Sequence, residues 1–233
     1  MTLDEWALGP PVLVTTCPVT FDVLCSDAEA STVADAANRG CVDRVVLACD
    51  PGVQSGYVLA VRLRGGVVVP IAAWVLGQRA IAGTRGRPMR PAEGPTAGDH
   101  ARLVGLVVEW CRSLGDDDTE TAVPQPVIVV EDWFAGVNPN TARDVARHFY
   151  YVEAAADRHG VRYVPVHNGT WKKAWLGRGN LRSDDAVVAY AAKAHELYPQ
   201  VKQWSGAKVS DLKSADAAAA LGIAAWYMET EST

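Results

Sequence analysis

The chain has 233 residues, 49% of them apolar, which is enough for one substantial core with a modest appendage. No run approaches the eighteen or more apolar residues of a membrane span, and the start, with Asp4, Glu5 and Trp6, lacks the basic and apolar stretches of a signal peptide. A soluble cytoplasmic protein with no membrane partner is expected.

The net charge of −5 argues mildly against a polyanionic ligand, but the charge is unevenly spread. Arg79, Arg85, Arg87 and Arg90 share a stretch without an acid, as do Lys172, Lys173, Arg178 and Arg182. Acid gathers instead at Asp116-Asp117-Asp118 and Glu120. The five cysteines are odd in number and form no CxxC pair, so they read as reduced, mostly buried thiols rather than a zinc site.

Residues 1–40 read as an N-terminal extension of unassigned role. Pro10-Pro11 and Pro18 interrupt short apolar pieces, and Ser26 to Asn38 suits a short alanine-rich helix. A single domain is expected over 41–230. It opens on Val45-Val46-Leu47-Ala48-Cys49, a continuous apolar run stopped by Asp50-Pro51-Gly52, the pattern of a buried strand ending in a turn. Tyr57 to Leu63 and Val67 to Val75 are strand-like and joined by Gly65-Gly66, which completes an antiparallel meander of three strands.

Arg79 to Pro95, rich in Gly, Pro and Arg, reads as a loop. Asp99 to Leu114 carries Leu103, Leu106, Val107, Trp110 and Leu114 at helical spacing. Pro126 to Val130 is a second buried strand, ending at Glu131. Asn140-Thr141 opens a helix that runs to about Arg158, Gly160 closes it, and Val161 to Val166 is a further strand. Residues 183–197 are helical with Ser183 as cap, and a last helix begins near Ser210-Asp211 and carries Ala215 to Trp226. Three meander strands followed by alternating helices and strands predict a mixed five-stranded α/β sheet flanked by helices. The first, fourth and fifth strands are expected to be parallel and central.

Two buried strands thus end in carboxylates, Asp50 and Glu131, and such positions project into the crevice where α/β sheets hold ligands. Two like charges at about 4 Å repel by roughly 4 kcal/mol at an effective dielectric near 20. A neighbouring pair therefore needs a proton or a cation, and hard oxygen ligands favour Mg²⁺ or Mn²⁺. Asp-Pro-Gly is also a good turn sequence, and Glu131-Asp132 equally suits the start of a solvated loop. Asp216 is harder to explain as surface, because it sits among Ala215 and Ala217 to Ala220 on a helix fit for burial.

Asp50-Pro51-Gly52-Val53-Gln54-Ser55-Gly56-Tyr57 resembles the first-strand motif of RuvC-like Holliday junction resolvases, an Asp-Pro-Gly followed by a Gly at the start of the second strand, here one residue tighter than in the bacterial form. Val127 to Glu131 resembles the family's fourth strand with its terminal Glu. Ala215-Asp216-Ala217, followed by Leu221, Ile223 and Ala224, resembles the stretch that opens its final helix. Trp171-Lys172-Lys173 with Leu176-Gly177-Arg178-Gly179-Asn180 is similar to a basic segment of phage-type members. The likeness spans about Asp43 to Met228. One departure is Lys213, which stands where the bacterial pattern has a second Asp; Asp211 is the nearest substitute. Five residues turn a helix by about 500°, so Asp211 and Asp216 share a site only if the helix begins after Asp211, which suits a helix cap equally well. Asp132, Asp184 and Asp185 are reserve candidates.

The resemblance implies a ribonuclease H-like fold and a structure-specific endonuclease resolving four-way DNA junctions in recombination and repair by two-metal hydrolysis. Asp50 would bridge two Mg²⁺ or Mn²⁺ ions, Glu131 would hold one, and Asp216, with Asp211, the other. Arg85, Arg87, Arg90, Lys172, Lys173, Arg178 and Arg182 would grip DNA, with Lys172 or Lys173 alternatively adding charge near the transition state. Trp133 and Phe134, next to Glu131, suit either base stacking or core packing. Trp171 and Trp175, four apart, suit a packed helix face. Paired cleavage implies a homodimer, for which the helix bearing Phe149, Tyr150, Tyr151 and Val152 offers apolar surface.

Three rival classes remain. One is a nuclease of this fold cutting other branched or duplex DNA, and another a non-catalytic DNA-binding or assembly module. The third, a sugar-kinase or actin-like ATPase, needs a second phosphate loop that the chain does not supply. With no Gly-x-x-x-x-Gly-Lys loop either, no nucleotide cofactor is expected.

Overall fold

The computed structural model describes residues 19–25, 27–77, 94–114, 123–132, 139–179, 183–197 and 212–230. Within them lie strands β1 (Val19–Val23), β2 (Val42–Asp50), β3 (Ser55–Leu63), β4 (Val68–Leu76), β5 (Val127–Glu131) and β6 (Arg162–Val166). The helices are α1 (Asp27–Asn38), α2 (Ala97–Leu114), α3 (Pro139–His159), α4 (Asn168–Leu176), α5 (Ser183–Leu197) and α6 (Leu212–Thr230). The sheet order is β1-β4-β3-β2-β5-β6; β2, β3 and β4 form the expected antiparallel meander, and β5 and β6 continue it in parallel with β2.

Three features differ from the sequence expectation. Val19–Val23, inside the stretch read as an extension, adds a sixth strand antiparallel to β4. The last strand, β6, is not central but lies at the sheet edge, pairing with β5 alone. An edge strand buries one flank only, and β6 accordingly keeps Arg162 and Pro165 exposed. Helix α2 also starts two residues earlier than its apolar spacing indicated. Thr96 accepts from the Asp99 amide through Oγ1 at 3.3 Å, and the Asp99 carboxylate accepts from the Thr96 amide at 2.8 Å, a reciprocal capping box.

Alternation along the strands divides the core into two layers. Val45, Leu47, Cys49, Tyr57, Leu59, Ile128 and Val130 face α1, α2 and α3, whereas Val46, Ala48, Val58, Ala60 and Val129 face α4, α5 and α6. Helix α6 is buried from Asp216 to Ala225, as its run of alanines suggested. The rings of Trp171 and Trp175 lie over Gly222 so closely that a Cβ there would meet Trp175 at 2.3 Å and Trp171 at 2.7 Å. The tryptophan pair of α4 is therefore the packed face the spacing implied. No helix among the described residues is long and apolar enough to cross a membrane.

A polar chain runs through the first layer. The Tyr57 hydroxyl is hydrogen-bonded to Nδ1 of His100, whose Nε2 meets Nδ1 of His148 at 3.4 Å. Burial, and then the neighbouring His148, push His100 down to about 3. Burial, and then Arg147, push His148 down to about 4. Both rings are neutral in the folded protein, while the unfolded chain takes up protons near 6.5. Their contribution to stability is thus complete above pH 6.5 and declines as pH falls towards 4, by up to about 1.4 kcal/mol per pH unit for each histidine. Urea unfolding at pH 7, 6 and 5 is expected to give falling midpoints; an unchanged midpoint would mean that the rings protonate without penalty.

Candidate active site at the carboxyl end of the central strands

The two-residue period that builds the core also aims the carboxylates. Asp50 has the parity of Val46 and Ala48 on β2, and Glu131 that of Val127 and Val129 on β5. Both therefore belong to the layer covered by α4, α5 and α6. The strands are hydrogen-bonded neighbours whose register ends at Cys49 opposite Val130, one residue before each carboxylate. Beyond Asp50 the chain turns sharply: the Gly52 amide donates to Ser55 Oγ at 3.1 Å, and that hydroxyl donates back to the Gly52 carbonyl at 2.8 Å.

Helix α6 supplies Asp216, which is 5% exposed. Gly56, paired with Asp50 across β2 and β3, marks the closest approach of this helix, since a Cβ there would lie 2.2 Å from the Asp216 carbonyl oxygen. The glycine of the motif is thus a space requirement. Asp50 and Asp216 line one cavity of about 370 Å³ together with Pro51 to Gln54 and with Asp144 and Val145 of α3. Sequence reading did not single out Asp144, because one acid on a long amphipathic helix carries no distinguishing pattern.

Glu131 is differently engaged. Its Oε2 accepts from Trp171 Nε1 at 2.9 Å, and its Oε1 lies 3.3 Å from Lys172 Nζ, so α4 meets the end of β5 with one neutral and one charged donor. Lys172 also lies over the rings of Trp171 and Tyr190, 5.2 and 5.8 Å from their centroids. Tyr190 of α5 is 6% exposed; burial and then the charges of Glu131 and Asp50 push its phenol up, so it stays protonated. Burial foremost, and the same two carboxylates to a smaller extent, push the Cys49 thiol up, which leaves it inert. The fields of the two strand-end carboxylates therefore overlap.

Among the described residues, no three His, Cys, Asp or Glu side chains gather closely enough to hold a metal ion. The expected cage of Asp50, Glu131 and Asp216 is thus not closed as the side chains stand, and the Glu131 carboxylate is engaged instead by Trp171 and Lys172. Two aspartates on one cavity still fit a divalent ion, because Mg²⁺ commonly takes one or two carboxylates, retains waters and completes its shell with substrate phosphate.

The other expected residues divide plainly. Lys173 and Arg178 are exposed, whereas Lys172 is tied to Glu131. Asp132 is half-buried at the end of β5, with its amide bonded to the Val166 carbonyl, and Asp185 is exposed on α5. His167 caps α4, accepting from the Gly169 amide at 3.2 Å. Asp211, Arg79, Arg85, Arg87, Arg90, Arg182, Trp133 and Phe134 lie outside the described residues, as do the side chains of Asp184 and Lys213.

A three-strand meander extended by two parallel strands, with Asp50 at the end of the first of these, Glu131 at the end of the fourth and Asp216 on the last helix, makes the mixed α/β sheet flanked by helices that the sequence predicted. No protein-family model and no curated protein matches the chain. Among solved structures it is similar to T. thermophilus RuvC in complex with a Holliday junction substrate, at 17% identity over 78% of this chain and 92% of that one, with a TM-score of 0.44. A second Thermus thermophilus RuvC structure has the same identity and coverage and a TM-score of 0.43.

Replacing Gly56 by Ala is expected to force α6 off β3 and to cost about 1–3 kcal/mol of unfolding free energy, the usual penalty of overpacking. Gly98→Ala, whose Cβ would find its nearest neighbour at 3.5 Å, serves as control and should cost nothing. Equal urea midpoints for the two variants would contradict the close seat of α6.

Proposed function

We propose that this chain is a divalent-metal-dependent endonuclease acting on branched DNA, with the four-way junction as its substrate. The observation that carries this is the arrival of Asp50 and Asp216, 166 positions apart in the sequence, on the walls of one cavity at the end of a central strand, with Glu131 on the same face of the adjacent strand. Such an arrangement of hard oxygen donors answers to Mg²⁺ or Mn²⁺. When bound, divalent ions supply the charge that lowers the pKa of water and offsets charge developing on a phosphodiester.

The chain's own groups then have separable tasks. Asp50 and Asp216 bind and orient from the lining of one cavity. Glu131 would join them as the ligand of a second ion. Tyr190 and Trp171 exclude water from the apolar flank, and exposed Lys173 and Arg178 hold backbone phosphates near α4. Asp211, Arg85, Arg87, Arg90 and Arg182 are proposed as the further acid and the further DNA contacts.

One observation favours a second reading. Lys172 already balances the charge of Glu131, as it would in a DNA-binding module that kept the fold without its chemistry.

A panel of four-way junction, flap, fork and linear duplex, incubated with Mg²⁺ or Mn²⁺, separates these readings. The parent is expected to introduce paired nicks in the junction. Asp50→Asn should cut roughly a hundredfold more slowly or worse, the scale on which lost transition-state charge partners are felt, while binding persists. Equal cutting by both proteins removes Asp50 from the chemistry; binding without cutting by either favours the module.

A two-fold homodimer is proposed through α3, where Tyr150 is 52% exposed. Gel filtration at micromolar concentration should give twice the chain mass, and a single-chain mass would remove this element.

A further inference from the structure

We infer that Lys172 is the internal counter-cation of Glu131, held where a divalent ion must displace it, so that ion and ammonium compete for one carboxylate. This rests on the metal-dependent reading above and deepens it.

The geometry has three parts. Glu131 and Lys172 are both largely buried, with side chains 14% and 16% exposed, so their contact at 3.3 Å is sheltered from solvent screening and is not a loose surface pair. The two carboxylate oxygens are divided between their partners: Trp171 Nε1 donates to Oε2, and Lys172 Nζ takes Oε1. Trp171 is wholly buried and locked by ring contacts with Trp175 and Tyr190, so its donor is fixed, while a lysine rides on a flexible stem. Displacement therefore falls on Oε1, with Trp171 keeping the carboxylate oriented.

The displaced ammonium has somewhere to go. Lys172 already lies within reach of the faces of Trp171 and Tyr190, so its charge stays partly compensated as it leaves Glu131. Lys173 and Arg178, exposed on and just beyond the same helix, add further cationic charge close in sequence to Lys172. Lys172 is thus a positioning residue with two alternative partners, the carboxylate before the ion arrives and the substrate's phosphate afterwards.

The test is Mn²⁺ binding to the full chain without DNA, read by calorimetry. Lys172→Met is expected to tighten Mn²⁺ on the order of tenfold, within the range of ordinary coupling between competing ligands. Lys172→Arg, which keeps the charge, should stay near the parent, and Lys172→Met combined with Glu131→Gln should lose the gain. Should Lys172→Met unfold, Lys172→Gln carries the same expectation, with urea midpoints verifying the fold of each variant. Unchanged or weaker Mn²⁺ binding in the charge-removing variants overturns the inference, as does absence of Mn²⁺ binding by every protein. The DNA panel is scored apart: junction cutting by a parent whose Mn²⁺ affinity ignores Lys172 sinks this inference alone, and tighter Mn²⁺ in Lys172→Met without any cutting sinks the nuclease alone.

Discussion

Helix α6 lies against β3 at a distance set by the missing side chain of Gly56, and much of the site follows from that contact. Ala48, Ala60 and Ala73 below, with Ala217 to Ala220 above, keep the interface thin, so the helix backbone comes down to the sheet and brings Asp216 level with the end of β2. The same helix is held from outside at Gly222, against which the rings of Trp171 and Trp175 close. Seating Trp171 there also places its Nε1 at Glu131. One line of close contacts thus runs from β3 through α6 to α4 and ends on the second strand-end carboxylate. Close-packed interiors transmit small displacements rather than absorbing them, so each glycine on this line has an influence beyond its own neighbourhood.

The opposite layer supplies a rigid floor. Cys49 precedes Asp50, and its neighbour across the sheet, Tyr57, continues through His100 to His148, all of them buried. A buried polar group left unpaired costs about 1–3 kcal/mol, so a chain of paired ones specifies a single arrangement of the strands and helices that carry it. Asp99, with no exposed surface, is satisfied in the same way by Thr96 and Arg102.

Much of the fold was legible because it depends on local pattern. The apolar runs ending at Asp50 and Glu131, the Gly65-Gly66 turn and the helical spacing of α2 and α3 each encode their element within a few residues. Asp216 stood out because a lone carboxylate among alanines has a strong energetic signature. Three things were hidden because their cause is distant. Val19–Val23 becomes a strand through pairing with β4, about fifty residues on. The edge position of β6 is a matter of sheet order, which its own composition does not state. The partners of Glu131 sit forty and forty-one residues away; Lys172 was read as a DNA contact and Trp171 as packing, and only the fold brings both to one carboxylate.

Because the acids on β2 and β5 are aimed by strand parity, an odd change in the length of either strand turns its carboxylate to the other face of the sheet. A single codon inserted between Val127 and Glu131 would rotate the carboxylate into the layer of Ile128 and Val130, beside Tyr163 and the aromatic side of α3. Two codons would restore its direction while advancing it by nearly 7 Å along the strand. The lengths of these two strands are therefore as much a part of the site as the acids they present.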